Sequence, residues 1–192
     1  GMLMNECVLQ PEAREVLEDA EVRIKERPDG LLVTDAVELA ASLCVKALQA
    51  GAKLLNALTV EDVCVRESAM TGLVVNQTTV LGTLHVDPIV FRAAVTIDAT
   101  GHEAAVVHAL LKHGHKIQSP TGDIVGEGAM HAERGEKFVV EKTSEIFPGL
   151  LLAGMSVCAV YGGPRMGPIF GGMLLSGRKA AGIAIAKCKV RS

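Results

Sequence analysis

The sequence predicts an α/β fold with a central, mainly parallel sheet and an antiparallel strand layer beside it. Three observations carry this. Ala93 to Asp98 is a nearly continuous apolar run that enters A-T-G and then a helical stretch, Glu103 to Lys112. Pro148 to Met155 is a second apolar run, and it ends in a glycine turn ahead of a last helix from about Pro168 to Lys187. Between them and the N-terminus, a strand, a capped helix and the apolar run A-K-L-L-N-A-L read as the β-α-β unit that builds parallel sheets. Glycine stands at the carboxyl end of both long strands, the edge at which open α/β sheets bind ligands. The pattern therefore points to a Rossmann-like dinucleotide-binding fold. No G-x-G-x-x-G follows a first strand, so the expectation is such a fold with its N-terminal β-α-β missing.

The remaining elements follow in chain order. Pro11 to Asp19 begins with proline in its first turn and acidic residues nearby, as a short helix does. Val22 to Glu26 and Leu31 to Thr34 flank R-P-D-G, a hairpin pattern. Asp35 is placed to cap a helix whose apolar residues, Val37, Leu39, Ala40, Leu43, Cys44 and Leu48, repeat with helical period, and Gly51 ends it. Val60 to Arg66 and Gly72 to Asn76 read as an antiparallel pair. His113 to Arg134 is rich in loop residues, and Lys137 to Lys142 alternates like a strand.

With 192 residues and 49% hydrophobic content, one domain over residues 1–192 is expected. Aromatics are only 3%, so the core rests on aliphatic packing. A net charge of −3 without any basic block argues against a nucleic-acid surface. There is no signal peptide and no uninterrupted apolar run of about 18 residues, so neither export nor a membrane span is expected. The five cysteines include no C-x-x-C pair, which implies reduced, mostly buried thiols and a cytoplasmic protein.

Few residues stand out chemically. L-H-V-D-P places His85 and Asp87 on one side of an extended segment, and His102 follows the A-T-G turn. Asp87 and His102 together suit a borderline divalent ion such as Fe(II), with coordination positions left open for chemistry. Equally, Asp87 can cap the turn at Pro88 while His102 opens a helix. Arg165 lies in Y-G-G-P-R-M-G-P, and its fork can take a carboxylate or phosphate, or an acidic group on a neighbouring subunit.

Beyond these single residues, A-G-M-S-V-C-A-V-Y-G-G-P-R-M-G-P-I-F-G-G-M-L-L-S-G-R-K-A-A closely resembles the C-terminal signature of thiamine thiazole synthases. L-H-V-D-P, T-I-D-A-T-G-H-E-A, D-G-L-L-V-T-D-A-V-E and L-T-V-E-D-V match as well, so the resemblance covers nearly the whole chain. It implies synthesis of the ADP-thiazole precursor of thiamine from NAD, glycine and sulfur. It further implies iron ligation by Asp87 and His102 and a clamp on the glycine carboxylate at Arg165. Thr59, His85, Val86, Asp87, Met155, Arg165, Met166 and Gly167 match residues along the NAD-derived ligand, with His85 in a catalytic position. Eukaryotic members carry a sulfur-donating cysteine at that position, so histidine there implies an archaeal-type enzyme that uses free sulfide. The family is octameric, with active sites shared between subunits. Two other functions are weighed against this one. They are an isomerase-type enzyme handling ribose or ribulose 1,5-bisphosphate, and an inactive oligomeric or nucleotide-sensing homologue.

Overall fold

The computed structural model describes residues 5–79 and 86–191. Strand β1 (Glu6–Leu9) is followed by a 3-10 turn, Pro11–Ala13, and helix α1 (Arg14–Asp19). Strands β2 (Lys25–Glu26) and β3 (Leu32–Asp35) form the expected hairpin, and the first sheet has the order β1-β3-β2, antiparallel throughout. Helix α2 (Ala36–Gln49) starts where its cap predicts: the Asp35 carboxylate accepts from Val37 N–H at 2.9 Å and Glu38 N–H at 2.8 Å. Leu9, Leu17, Leu32 and Leu39 form the core of this part, with Phe170 and Leu174 packed against it.

Strands β4 (Leu58–Arg66), β5 (Ala69–Gln77) and β6 (Ile89–Arg92) make a second antiparallel sheet in that order. Glu67 and Ser68 both have positive φ, 50° and 58°, matching the right-handed twist of a two-residue hairpin. A third sheet has the order β7-β9-β8, from β7 (Thr96–Asp98), β8 (Glu145–Phe147) and β9 (Leu150–Leu152). Helices α3 (Ala105–Leu111), α4 (Ala132–Lys142), α5 (Met155–Tyr161) and α6 (Gly171–Arg191) complete the fold. The larger core gathers Val107, Leu110, Val139, Ile146, Leu150 and Leu152. Among the described residues, no helix is long and apolar enough to cross a membrane.

The α/β character is as expected, but among the described residues parallel pairing between strands is confined to β7 and β9, beside two isolated parallel bridges, Val8 with Ile169 and Gly128 with Pro164. Four further details differ from the sequence reading. The run A-K-L-L-N-A-L does not return as a buried strand: Leu54 and Leu55 are 58% and 56% exposed, and only Leu58 enters β4. Both edges of β3 are already taken by β1 and β2, so no edge remains for a parallel neighbour after α2. The run Ala93 to Asp98 yields only three strand residues, at an edge of its sheet; the fully buried central strand is β9. Lys137 to Lys142 is helical, within α4, because Glu136 and Val139 share one buried face at helical spacing. Helix α5 occupies part of what reads as loop before the last helix.

One buried side chain organises the third sheet. Asp98 is fully buried at the end of β7. Its Oδ1 accepts from Thr100 N–H at 3.0 Å, Thr100 Oγ1–H at 2.7 Å and Ser156 Oγ–H at 3.3 Å. Its Oδ2 accepts from Val106 N–H and Val107 N–H, each at 3.1 Å. Asp98→Ala leaves those two buried amides without acceptors, at about 1–3 kcal/mol each. The expected loss of about 3 kcal/mol or more is read from urea unfolding, with partial recovery in Asp98→Asn.

A second buried acid joins α4 to α6. Glu136 Oε2 accepts from Gly172 N–H at 2.6 Å, while its Oε1, also buried, has no partner among the described residues. A Cβ on Gly172 would stand 2.6 Å from the Glu136 carbonyl oxygen, so the contact requires glycine. Burial first, and then the Glu12 charge, push the Glu136 carboxyl above the usual carboxylate range, against the Gly172 bond. The folded state therefore holds a proton that the unfolded chain releases, and this site loses stability as pH rises from the ordinary value of 4.5 through the raised one. Glu136→Gln keeps an acceptor without the charge. Its stability relative to the parent is expected to improve from pH 5 to pH 8, measured by urea midpoints across that range.

Candidate active site

Strands β7 and β9 run parallel, so their carboxyl ends open on the same side. From β7 the chain passes Asp98 and Thr100 into a 3-10 turn, Gly101–Glu103, which carries His102. From β9, Ala153 N–H bonds the Asp98 carbonyl at 3.0 Å, and the chain turns at Gly154, φ 67° and ψ −146°, a conformation that a side chain would strain. Gly154 N–H donates to Ser176 Oγ of α6 at 2.8 Å, which fixes the start of α5 and hence Met155.

After α5 the Gly162 to Phe170 loop is held by backbone pairing. Gly128 N–H bonds Gly163 O at 2.9 Å, and His131 N–H bonds Arg165 O at 2.9 Å. On its other flank, Gly126 N–H bonds Ala159 O at 2.9 Å. Between these anchors sits Glu127, its side chain only 12% exposed. One oxygen, Oε1, lies 2.6 Å from His102 Nδ1; the other, Oε2, accepts from Arg165 Nε–H at 2.9 Å. The imidazole and the guanidinium thus meet on one carboxylate.

A cleft of about 470 Å³ opens above this bridge, lined by His102, Met155, Arg165, Met166, Gly167 and Met130 among others. Five residues singled out in the sequence therefore share one cavity. With Nδ1 engaged, His102 has its Nε2 left for a ligand, the arrangement that a metal-binding histidine uses. With Nε engaged, Arg165 has its two terminal nitrogens left for a planar anion. Methionine side chains supply a soft apolar wall.

Other expected site residues lie elsewhere. Thr59 is in β4, its hydroxyl 2.9 Å from that of Thr78. Val86 and Asp87 are exposed on the segment entering β6, where Val86 O accepts from Asn76 Nδ2–H at 3.1 Å. Neither Val86 nor Asp87 lines the cleft at His102, and among the described residues no group of three or more His, Cys, Asp or Glu is arranged to hold a metal. His85 lies outside the described residues. Glu127 and Asp98 were missed by the sequence reading. Glu127 is one of two acids in T-G-D-I-V-G-E-G, and Asp98 stands inside T-I-D-A-T-G-H-E-A without being singled out there. A larger cleft, about 540 Å³, lies between α4 and the start of α6 and contains none of the expected residues.

These features define an α/β protein with a cleft at the carboxyl ends of its parallel strands, lined by an imidazole and a guanidinium that share one carboxylate. The Thi4 family model matches residues 1–170, and the chain belongs to that family. It is 46% identical to a thiamine thiazole synthase of Methanothermobacter thermautotrophicus over 191 residues, 98% of this chain and 74% of the relative. With that of Pyrococcus furiosus the identity is 50% over 182 residues, 94% and 70% of the two chains. The crystal structure of Thermovibrio ammonificans THI4 superposes with a TM-score of 0.95 at 42% identity, covering 98% of this chain and 74% of that one.

The cysteines bear on sulfur chemistry. Cys158 is fully buried in α5, and burial, then the Glu127 charge, push its thiol up to about 11. It is a neutral thiol at pH 7 and a poor nucleophile. Under native conditions at pH 7.5, iodoacetamide is expected to label exposed Cys188 and spare Cys158 until urea is added, as read by peptide mass spectrometry.

Proposed function

We propose that this chain is a thiamine thiazole synthase that forms the ADP-thiazole precursor from NAD, glycine and sulfide with Fe(II). The observation that carries the reading is the convergence of His102, Met155, Arg165, Met166 and Gly167 on one cleft. These five come from two separate stretches of sequence that resemble the family's motifs, in a chain of that family.

We assign the roles from the family resemblance, with the geometry of the cleft in support. Arg165 offers its terminal nitrogens to the glycine carboxylate, which orients the amine for condensation with the ketone of the opened ADP-ribose. Met155, Met166 and Gly167 lie along the NAD-derived ligand, and the methionines keep water from its reacting end. The C-terminal ends of β7 and β9 give the dinucleotide-type edge on which such a ligand rests. His102, through Nε2, and Asp87 would hold Fe(II), which would supply Lewis-acid chemistry and a template for sulfide. Thr59, His85 and Val86 complete the ligand's surroundings, and His85 is suited to moving a proton near neutral pH.

Asp87 reaches the metal from a neighbouring subunit of a homo-oligomer, the octamer of the family. In support, Asp87 lies on an exposed segment leading into β6, where Ile89, Val90 and Phe91 are 55%, 55% and 41% exposed. A bisphosphate substrate fits less well: Arg165, the one basic side chain among the described residues of the cleft apart from His102, is already paired with Glu127.

Anaerobic incubation with NAD, glycine, sulfide and Fe(II), followed by mass spectrometry, tests the reading. An adenylated thiazole that requires sulfide and leaves the intact protein mass unchanged is expected. Loss of sulfur from the protein would contradict the sulfide route, and failure to form or retain any adenylated product would contradict the synthase reading. Arg165→Ala is expected to raise KM for glycine at least tenfold, about 1.4 kcal/mol, in steady-state assays with a smaller change in kcat.

A further inference from the structure

We propose that Glu127 is the positioning residue of the cleft: one carboxylate fixes the tautomer of His102 for metal binding and screens the charge of Arg165. The proposal rests on the thiazole-synthase reading for the identity of the metal and the anion, and on the geometry of this chain for the rest.

Glu127 is placed by backbone, since both of its neighbours, Gly126 and Gly128, are bonded to the stretch Ala159 to Gly163. Its two oxygens serve different partners rather than one fork, at 2.6 Å to His102 Nδ1 and 2.9 Å to Arg165 Nε. A carboxylate only accepts, so both partners must present protons to it. His102 is thereby set as the Nδ1–H tautomer, with the Nε2 lone pair facing outward. Arg165 contributes one proton to Glu127 and keeps its terminal fork for a ligand, but with its charge balanced. The cleft therefore favours a small carboxylate that docks on the fork over a multiply charged anion drawn by an unpaired cation.

Glu127→Gln separates the two functions because a carboxamide is acceptor at one atom and donor at the other. The guanidinium can only donate, so it takes the amide oxygen. The amide N–H then faces His102 Nδ1 and selects the Nε2–H tautomer, which blocks the metal-facing nitrogen. Exchange of a carboxylate for its amide beside a histidine is known to have this consequence in another enzyme class. Metal affinity should fall about 10–100-fold, as for loss of an outer partner of a metal-bound histidine. Glycine binding at Arg165 in metal-free protein should hold or tighten, because the screening charge is gone. General damage to the loop would weaken both.

The experiment uses the full chain, labelled with 15N-histidine and 15N-arginine, in parent and Glu127→Gln forms without metal. Long-range 1H–15N spectra of His102 should show Nδ1–H in the parent and Nε2–H in the variant. Co(II) titration, followed in the visible spectrum, should show the loss of affinity, and glycine titration followed at the Arg165 Nε–H resonance should show none. An Nε2–H tautomer in the parent overturns the proposal, and this readout stands even where the variant does not fold. Weakening of both Co(II) and glycine also overturns it. If the tautomer switches as expected but neither protein binds Co(II), the positioning role stands and the metal reading fails instead.

Discussion

The carboxylate of Asp98 is the interaction on which the functional edge of the molecule depends. It ends β7, holds the Thr100 turn, supplies the acceptor for the first amides of α3, and reaches Ser156 in α5. One strand, two helices and the turn leading to His102 are therefore referred to one pair of oxygen atoms. A buried charge is tolerated only when it is well bonded, and five donors meet that condition. Because Asp98 sets where the chain leaves β7, it also sets where the His102 ring can lie. Glu127 then needs only to come from the opposite wall to complete the frame.

That opposite wall is built from irregular backbone. The Gly126 to His131 and Ala159 to Arg165 stretches bond to one another almost as strands do, without forming a regular ladder. Glycines at 126, 128, 162 and 163 let the two segments approach; the Phe138 ring lies where a Cβ on Gly163 would come within 2.4 Å of it. The loop is thus tied down by these backbone bonds and by its buried Gly163 and Met166, and Arg165 has a defined origin. Downstream, Phe170 N–H bonds Val8 O at 3.0 Å, so the first sheet and the start of α6 steady the same loop from below.

Much of this was readable before any coordinates. The cap at Asp35, the hairpin through R-P-D-G and the glycine turn after β9 are local chemistry, and local chemistry is legible. His102, Met155, Arg165, Met166 and Gly167 were identified by motif, and the fold brings them together. What failed was anything decided by partners distant in sequence. Whether Leu54 and Leu55 are buried depends on which strand edges are already occupied. Whether K-F-V-V-E-K is strand or helix depends on the wall it meets, here α6. Glu127 is one acid among several in a loop until His102, 25 residues earlier, and Arg165, 38 later, close on it.

The charge arrangement also constrains what the cleft accepts. Arg165 and Glu127 together carry no net charge, and His102 adds none in its neutral form. A zwitterionic amino acid likewise carries no net charge, and its carboxylate finds a planar fork with the right number of protons. A bisphosphate would find, among the described lining residues of the metal-free cleft, only a guanidinium already paired with Glu127 beside the His102 imidazole. Sulfur is constrained in the same way. No cysteine is among the described residues lining the cleft, and Cys158, behind the loop, is held neutral by burial and by the same Glu127. The carboxylate that bridges His102 and Arg165 is thus also a reason that the Cys158 thiol stays unreactive, and sulfur in the proposed reaction is left to come from solution.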